Sequence, residues 1–218
     1  MRKNNSGKFS VSSGKSQKIS DKPMTKKTKE EEQDSPSVLT YLHDLVYLLA
    51  GILLVLLLLF RVVIVSGASM NNTLIDGDYI LLLGNILYQS PQQGDIIVAS
   101  KDSFKGGEPI IKRVIATEGQ QVDIDFDAGI VYVDGIALDE PYTLTPTNLE
   151  EGMQFPLIVE EGCVFAMGDN RNKSKDSRSP EIGQIDIREI LGKGIVLMLP
   201  GSEGGMVKPD FSRIGVIA

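Results

Sequence analysis

The chain has 218 residues and a formal net charge of −7, which leaves room for one main domain with appendages. Residues 1–35 hold nine Lys or Arg against five Asp or Glu, whereas the part from Ser66 onward holds 12 against 23. An acidic folded part argues against nucleic acid as a partner. The single cysteine, Cys163, excludes a disulfide framework, and the scarcity of His and Cys argues against a zinc mechanism. We therefore expect no metal and no cofactor.

The first 36 residues are rich in Lys, Ser, Asn and Gln and contain few aromatic or branched apolar residues. Such a composition cannot bury enough apolar surface to fold. We therefore predict a disordered basic tail over residues 1–40. Its positive charge suits the anionic cytoplasmic face of a membrane.

An apolar run follows this tail. No charged residue lies between Leu45 and Phe60, and the run continues through Val62–Val65. A helix over this run covers roughly 30 Å, the thickness of a hydrocarbon core. We predict one transmembrane helix over residues 41–65, with a lipid bilayer, the cell membrane, as its partner. Because the Lys-rich side stays in the cytoplasm, residues 66–218 would form an extracytoplasmic domain.

A cleavable signal peptide is the alternative interpretation of this run. Ser66-Gly67-Ala68 places small residues at the −3 and −1 positions of a possible cleavage site. The segment before the run is about 40 residues long, however, and the run exceeds the usual ~7–15 apolar residues of a signal peptide. An uncleaved anchor is therefore the favoured interpretation.

Beyond the apolar run, the sequence patterns indicate strands. Short, β-branched or alternating segments are separated by Gly, Pro, Asp and Asn, as in antiparallel sheets. We predict a mainly β domain built from coiled antiparallel β-sheet or barrel-like sheets. The predicted strands are 78–83, 94–99, 110–117, 122–126, 130–133, 136–138, 156–160, 164–167 and 194–199, and residues 181–191 are ambiguous between helix and strand.

Ser69, just after the apolar run, is a candidate nucleophile. A serine hydroxyl needs a neighbouring base, and the only histidine, His43, lies on the other side of the run. A Ser-His-Asp triad is therefore excluded. Lys112 is the remaining candidate base, because it lies in an apolar, β-branched segment where burial would favour its neutral form. Taken singly, such a serine is more often part of a linker, and such a lysine more often points to solvent from an edge strand.

Three blocks together resemble the type I signal peptidases, in their bacterial Ser/Lys form with one N-terminal span. They are Ser69–Leu74 (SMNNTL), Lys112–Ala116 (KRVIA) and Gly168–Arg178 (GDNRNKSKDSR). The third block matches the family motif in full, and Gly94-Asp95 matches a further block. The resemblance covers about residues 40–200.

The resemblance implies roles for individual residues. Ser69 would be the nucleophile, with its backbone N–H as one oxyanion donor, and Lys112 would be the general base. Ser174 would hydrogen-bond the lysine, and an ion pair between Asp176 and Arg178 would support the loop of Ser174. Shallow apolar pockets would accept the small side chains of an Ala-x-Ala substrate, lined by Met70, Leu74, Ile80, Ile110 and Ile111.

The family also implies partners: the signal peptides of exported preproteins as substrates, and the protein-export machinery nearby. A substrate segment could add as a strand beside Ile80–Leu83 or Ile110–Lys112. The short interval between Lys112 and Asp169 predicts a reduced cap subdomain.

Three positions depart from the family pattern. Asn72 stands where proline is usual, and Glu118-Gly119-Gln120 stands where Pro-Gly-Asp is usual. Gly67 lacks the hydroxyl that some members use as a second oxyanion donor. These departures motivate one alternative, a catalytically weak paralogue that serves as a surface-protein or pilus assembly factor. A self-cleaving Ser/Lys repressor is disfavoured, because it would need a DNA-binding helix pair and no membrane span.

Overall fold

The structure is a computed structural model that describes residues 38–202 and 208–217. The predicted disordered tail lies almost wholly outside these residues. The described part begins with one helix and continues as β-structure, connected by turns in which several glycines adopt positive φ.

Helix α1 spans Val38–Leu59, and none of its side chains is buried in protein. By length and composition it is able to cross a membrane, since its residues rise by about 33 Å. It ends six residues before the predicted end of the apolar helix, Val65. Residues Phe60–Ile64 instead form a strand, because most of them are β-branched and all five pair with the strand Tyr79–Gly84.

The described residues form twelve strands: β1 (Phe60–Ile64), β2 (Tyr79–Gly84), β3 (Ile96–Ser100), β4 (Pro109–Thr117), β5 (Gln121–Asp125), β6 (Ile130–Val133), β7 (Ile136–Ala137), β8 (Leu157–Ile158), β9 (Cys163–Met167), β10 (Ile185–Asp186), β11 (Ile190–Leu199) and β12 (Gly215–Val216). Each predicted strand overlaps one of these. The ambiguous stretch 181–191 contains no α-helix; it holds β10, a 3-10 turn at Ile187–Glu189 and the start of β11.

The strands form two antiparallel sheets in the described part of the chain. The larger has the order β1-β2-β11-β3-β4-β9-β10, with β12 paired to β11, and the smaller has the order β7-β6-β5-β8. The prediction of a mainly β fold with antiparallel sheets is confirmed. The description of these sheets as barrel-like is only approximate, because the end strands β1 and β10 are not paired with each other and no described sheet closes.

The turn between β4 and β5 contains the unusual Glu118-Gly119-Gln120. Gly119 has φ +78°, a conformation that favours glycine. The side chain of Gln120 accepts a hydrogen bond from the backbone N–H of Thr117 at 2.9 Å. The departure from Pro-Gly-Asp is therefore compatible with a tight turn.

Three apolar clusters fill the fold. One lies within the larger sheet, and a second joins the larger sheet to the smaller one through Ile115, Phe165, Val122 and Val131. The third, here called the pocket cluster, comprises Val65, Met70, Leu74, Ile80, Leu82, Ile96, Val98 and Leu197. Each such buried aliphatic side chain contributes about 1.5–3 kcal/mol of hydrophobic stabilisation. The pocket cluster lies beneath Ser69 and fixes the segment that carries it.

Candidate active site

Ser69 lies on a loop, residues 66–76, that connects β1 to β2. Two backbone hydrogen bonds close the neck of this loop: the N–H of Val65 donates to Asp78 at 2.8 Å, and that of Gly77 donates to Val65 at 2.9 Å. Farther along, the carbonyl of Ser69 accepts a hydrogen bond from the N–H of Asn170 at 3.0 Å. The loop is thus held both at its base and at Ser69 itself.

Lys112 lies on β4, an interior strand with partners on both sides in the larger sheet. Its register partner on β3 is Ile97, and only 4% of its surface is exposed. The interpretation as a solvent-facing edge lysine is therefore excluded. Its Nζ lies 3.0 Å from Oγ of Ser69 and 3.0 Å from the carbonyl oxygen of Ile111. The structure thus brings the two residues within direct hydrogen-bond distance.

Burial determines the protonation of this lysine. Desolvation lowers the pKa of Lys112 to about 8, against the opposing effect of the carboxylates of Asp176, Glu151 and Asp169. A substantial fraction of the amine is therefore neutral near physiological pH. A neutral amine at hydrogen-bond distance from a serine hydroxyl is able to act as its general base.

Ser174 is buried, with 3% of its surface exposed. The hydrogen bond to Lys112 implied by the resemblance is not made, because Oγ of Ser174 has no partner among the described residues. Ser174 packs closely against Gly168: a Cβ added there would lie 2.2 Å from Oγ of Ser174 and 2.5 Å from the carbonyl oxygen of Ser69. Only glycine allows the two serine segments to approach so closely.

Asp176 and Arg178 form an ion pair in which both side chains are fully buried. The guanidinium donates to the two carboxylate oxygens at 2.8 and 2.9 Å. It also donates to the carbonyl of Arg171 at 2.6 Å, and the carboxylate accepts from the N–H of Gly168 at 3.0 Å. The pair therefore connects both sides of the Ser174 loop, which a surface ion pair would not do.

A second buried ion pair was not predicted from the sequence. Arg113 donates to both carboxylate oxygens of Asp169 at 2.9 Å, and its guanidinium lies 4.0 Å from the ring centroid of Tyr142. The hydroxyl of Thr73 donates to the same carboxylate at 2.5 Å. This pair joins β4, the Gly168–Arg178 segment and the Ser69 loop. The signal in the sequence was Arg113 itself, since an arginine in an apolar strand needs a buried carboxylate partner.

A cavity of about 570 Å³ opens at Ser69 and Lys112. One wall comes from the end of β1 and the Ser69 loop, and the other from β4. Of the five residues predicted to line pockets, Met70, Ile110 and Ile111 contribute to this lining. Leu74 and Ile80 do not, since both are fully buried in the pocket cluster behind Met70.

The strand pairing separates the two predicted positions for an added substrate strand. β2 is paired along its length with β1 on one side and with β11 on the other, so residues 80–83 offer no edge. On β4, Pro109–Lys112 pair with β3, whereas pairing with β9 begins only at Arg113. Within the described part, the second edge of residues 109–112 is unpaired and faces the cavity. The prediction beside Ile80–Leu83 is therefore wrong.

Gly67 has φ +89°, and its N–H donates to the Asp76 side chain at 2.8 Å. The missing hydroxyl thus accompanies a backbone conformation that favours glycine.

No group of three or more His, Cys, Asp or Glu within residues 38–202 and 208–217 is arranged to hold a metal ion.

Comparisons with known proteins place these residues in context. A family model described as signal peptidase, peptidase S26, matches residues 38–199. The chain is 37% identical over 172 residues to a probable signal peptidase I-1 of Synechocystis sp., covering 73% of this chain and 83% of the relative. It is 31% identical over 159 residues to signal peptidase I of Bacillus licheniformis, covering 69% and 83%. A crystal structure of a signal peptidase I from Enterococcus faecalis is 29% identical, with a TM-score of 0.39, over 48% of this chain and 96% of that one.

The buried lysine generates a prediction about stability. Since the pKa of Lys112 is about 8 in the fold, below its ordinary value of 10.5, the folded state binds fewer protons than the unfolded state between these pH values. The free energy of unfolding therefore rises with pH across this window. This titration is absent from Lys112→Met. The free energy of unfolding of the variant minus that of the parent should therefore be about 3 kcal/mol smaller at pH 10.5 than at pH 7.

Denaturant unfolding at the two pH values measures this difference. Lys105→Met, at an exposed lysine, is the matched control and should show little change at either pH. If the difference in the free energy of unfolding between Lys112→Met and the parent is the same at both pH values, the lowered pKa of the buried amine is contradicted.

Proposed function

The chain belongs to the signal peptidase family, peptidase S26, and is a membrane-bound serine peptidase that removes signal peptides; we propose that Ser69 and Lys112 perform the cleavage. One observation carries this proposal: Nζ of Lys112, on a buried interior strand, lies 3.0 Å from Oγ of Ser69. The comparisons support peptidase activity in this chain, because the alignments with the two signal peptidases named above each cover 83% of the relative.

In the proposed mechanism, neutral Lys112 takes the proton of Oγ of Ser69 as that oxygen attacks the scissile carbonyl carbon. The resulting ammonium returns the proton to the leaving amine, and the C–N bond breaks to leave an ester on Ser69. Lys112 then takes a proton from water as the water oxygen attacks the ester carbon. The ammonium returns that proton to Oγ of Ser69 as the ester C–O bond breaks, which releases the new carboxyl end and regenerates the neutral lysine. The backbone N–H of Ser69 would donate one hydrogen bond to the developing oxyanion.

Ser174, Asp176 and Arg178 would position this pair. Burial leaves Oγ of Ser174 without another partner among the described residues, so it is available to an amine that moves away from Ser69 during the reaction. The Asp176–Arg178 pair would fix the loop of Ser174, because the pair follows Ser174 in the chain and hydrogen-bonds backbone groups of Gly168 and Arg171, which precede it.

The substrate would be the end of a preprotein signal peptide with an Ala-x-Ala pattern. It would lie extended in the cavity along the unpaired edge of Pro109–Lys112, hydrogen-bonding as an added strand. Met70, Ile110 and Ile111 would form the walls of its side-chain pockets. Leu74 and Ile80 would limit pocket depth from behind Met70, so that larger side chains clash.

For the membrane, we propose that α1 is a single span of the cell membrane with the N-terminus in the cytoplasm. The Lys-rich tail supports this orientation, and the acidic domain would then face the outside, near the protein-export machinery. The alternative of a weakly catalytic assembly factor has no support: the relatives named above are signal peptidases, and both residues of the pair are present.

This topology is testable with single cysteines in a Cys163→Ala background. On intact cells, a membrane-impermeant maleimide should label Asp139→Cys, in the β-rich domain, because that domain is outside. Ser10→Cys, in the tail, should be labelled only after the membrane is permeabilised. Labelling of Ser10→Cys before permeabilisation would reverse the proposed orientation.

Cleavage of a preprotein with an Ala-x-Ala site tests the catalytic pair, with detergent-solubilised full-length chain. Ser69→Ala should abolish the reaction, and Lys112→Ala should slow it by roughly 10²–10⁴-fold because the general base is lost. Ser90→Ala and Arg188→Ala, at exposed positions outside the cavity lining, are controls expected to cleave at the parental rate. Parental activity in Lys112→Ala would sink the assignment of the lysine as base.

The pH dependence of kcat/KM follows from the pKa of Lys112. Since the neutral amine is the active form, the rate should fall as pH decreases through about 8, where the lysine becomes protonated. A profile measured from pH 6 to 10 on the same substrate checks this. A rate that is flat from pH 6 upward would show that no group with this pKa controls the reaction.

A further inference from the structure

Asp78, at the neck of the Ser69 loop, is a fully buried carboxylate. It accepts two backbone hydrogen bonds, from the N–H groups of Ile75 and Gly201, both at 2.8 Å. Its two remaining hydrogen bonds come from Arg213, whose Nη1 and Nη2 donate at 3.0 and 2.7 Å. Arg213 thus supplies the only cationic partner of Asp78 within the described residues.

Arg213 also reaches a second position on the loop. Its Nη2 lies 3.3 Å from the carbonyl oxygen of Thr73, four residues after Ser69. One guanidinium therefore joins the middle of the loop, at Thr73, to its neck, at Asp78. A planar fork with several donors can make both contacts at once, which a single ammonium cannot do as well.

The segment that carries Arg213 is itself fixed to the fold. Residues 208–217 lie beyond the region that the family model matches, which ends at 199. β12 pairs with β11 through Val216 and Gly215, and Asp210 accepts a hydrogen bond from the N–H of Ser212 at 3.0 Å at the start of a 3-10 turn. The end of this segment is thereby anchored to the larger sheet.

Ile217 brings the same segment to the pocket cluster. It packs against that cluster, which includes Met70 and Leu74. A Cβ added at Gly194 would lie 2.9 Å from Cδ1 of Ile217, so β11 leaves space for this side chain. The segment therefore contacts both the neck of the Ser69 loop and the residues beneath it.

We propose that residues 208–217 form a C-terminal clamp on the Ser69 loop, with Arg213 as a positioning residue for cleavage. The proposal rests on the assignment of Ser69 as nucleophile. Asn170 holds the loop at the Ser69 carbonyl, and Arg213 holds its opposite part, so that Oγ stays within reach of Lys112. A displacement of about 1 Å between reacting groups can cost on the order of 100-fold in rate.

The effect of Arg213 is geometric rather than electrostatic. The charged groups with the largest effects on the pKa of Lys112 are Asp176, Glu151, Asp169 and Arg178, and Arg213 is not among them. Removal of Arg213 should therefore reduce turnover without moving the acid limb of the pH profile. General loosening of the fold would expose Lys112 and move that limb towards higher pH.

The test compares Arg213→Ala with the parent on the same Ala-x-Ala preprotein. The expected result is a loss of kcat of tenfold or more, with KM changed less than twofold and the acid limb unmoved. Arg188→Ala is the matched control, since Arg188 is an exposed arginine that also pairs with an aspartate, Asp186; its kcat should be parental. Parental kcat in Arg213→Ala overturns the clamp, and so does an acid limb that moves together with the loss.

Two further measurements complete the test. If Arg213→Ala shows no cooperative thermal transition by circular dichroism, Arg213→Lys replaces it: intermediate kcat supports the clamp, and parental kcat overturns it. Millimolar methylguanidinium should partly restore kcat to Arg213→Ala, since it fills the vacated position beside Asp78.

Amide hydrogen exchange separates this inference from the proposed function. Arg213→Ala should exchange faster than the parent across residues 66–78, whether or not the parent cleaves the substrate. Equal exchange there overturns the clamp even with an active parent. A parent that fails to cleave, together with faster exchange in the variant, overturns the catalytic assignment and leaves the clamp supported as a structural contact.

Discussion

The withdrawal of one ammonium group from water is the constraint on which this structure depends. Only 4% of the surface of Lys112 is exposed, so the protein around it removes nearly all of its solvent. A buried charge is expensive, and the amine responds by lowering its pKa. The stability that the fold gives up at this position would supply the base that we propose for Ser69, a role for which the described residues bring no histidine to the site. The two apolar clusters that include Val114 and Ile115 of β4 thus help to exclude water from the amine as well as to pack the fold.

Within the described residues, four arginine–carboxylate pairs are buried or partly buried. Arg113 pairs with Asp169, Arg171 with Glu140, Arg178 with Asp176, and Arg213 with Asp78. Such pairs often contribute little net stability, since desolvation offsets their attraction. Their bidentate geometry, however, fixes the residues that they join, and all but the Asp176–Arg178 pair connect segments that are far apart in the chain. At this site the ion pairs therefore act together with apolar packing and backbone hydrogen bonds to hold the loops.

Much of this arrangement was predictable from local patterns. Alternation and turn residues indicated the strands, and three blocks together, of which residues 168–178 match the family motif in full, suggested the family. The end of α1 was not predictable from hydropathy, because Phe60–Ile64 continues the apolar run except at Arg61 and forms a strand by pairing with β2. Leu74 and Ile80 likewise belong to the core rather than the cavity wall, which depends on packing that no spacing rule contains. The contact of Arg213 with Asp78 joins residues 135 positions apart, and nothing local marks it.

The direct passage from helix to strand has a consequence for where cleavage can occur. β1 follows Leu59 without an intervening linker, and the Ser69 loop follows β1. Six extended residues, from Phe60 to Val65, span about 20 Å. With α1 in the bilayer and Ser69 as the nucleophile, both as proposed, Oγ of Ser69 would stay close to the membrane surface. Only a peptide bond presented close to the lipid surface, as in a chain still anchored by its own apolar segment, comes within reach; the same bond in a freely diffusing soluble protein would have to approach the membrane first.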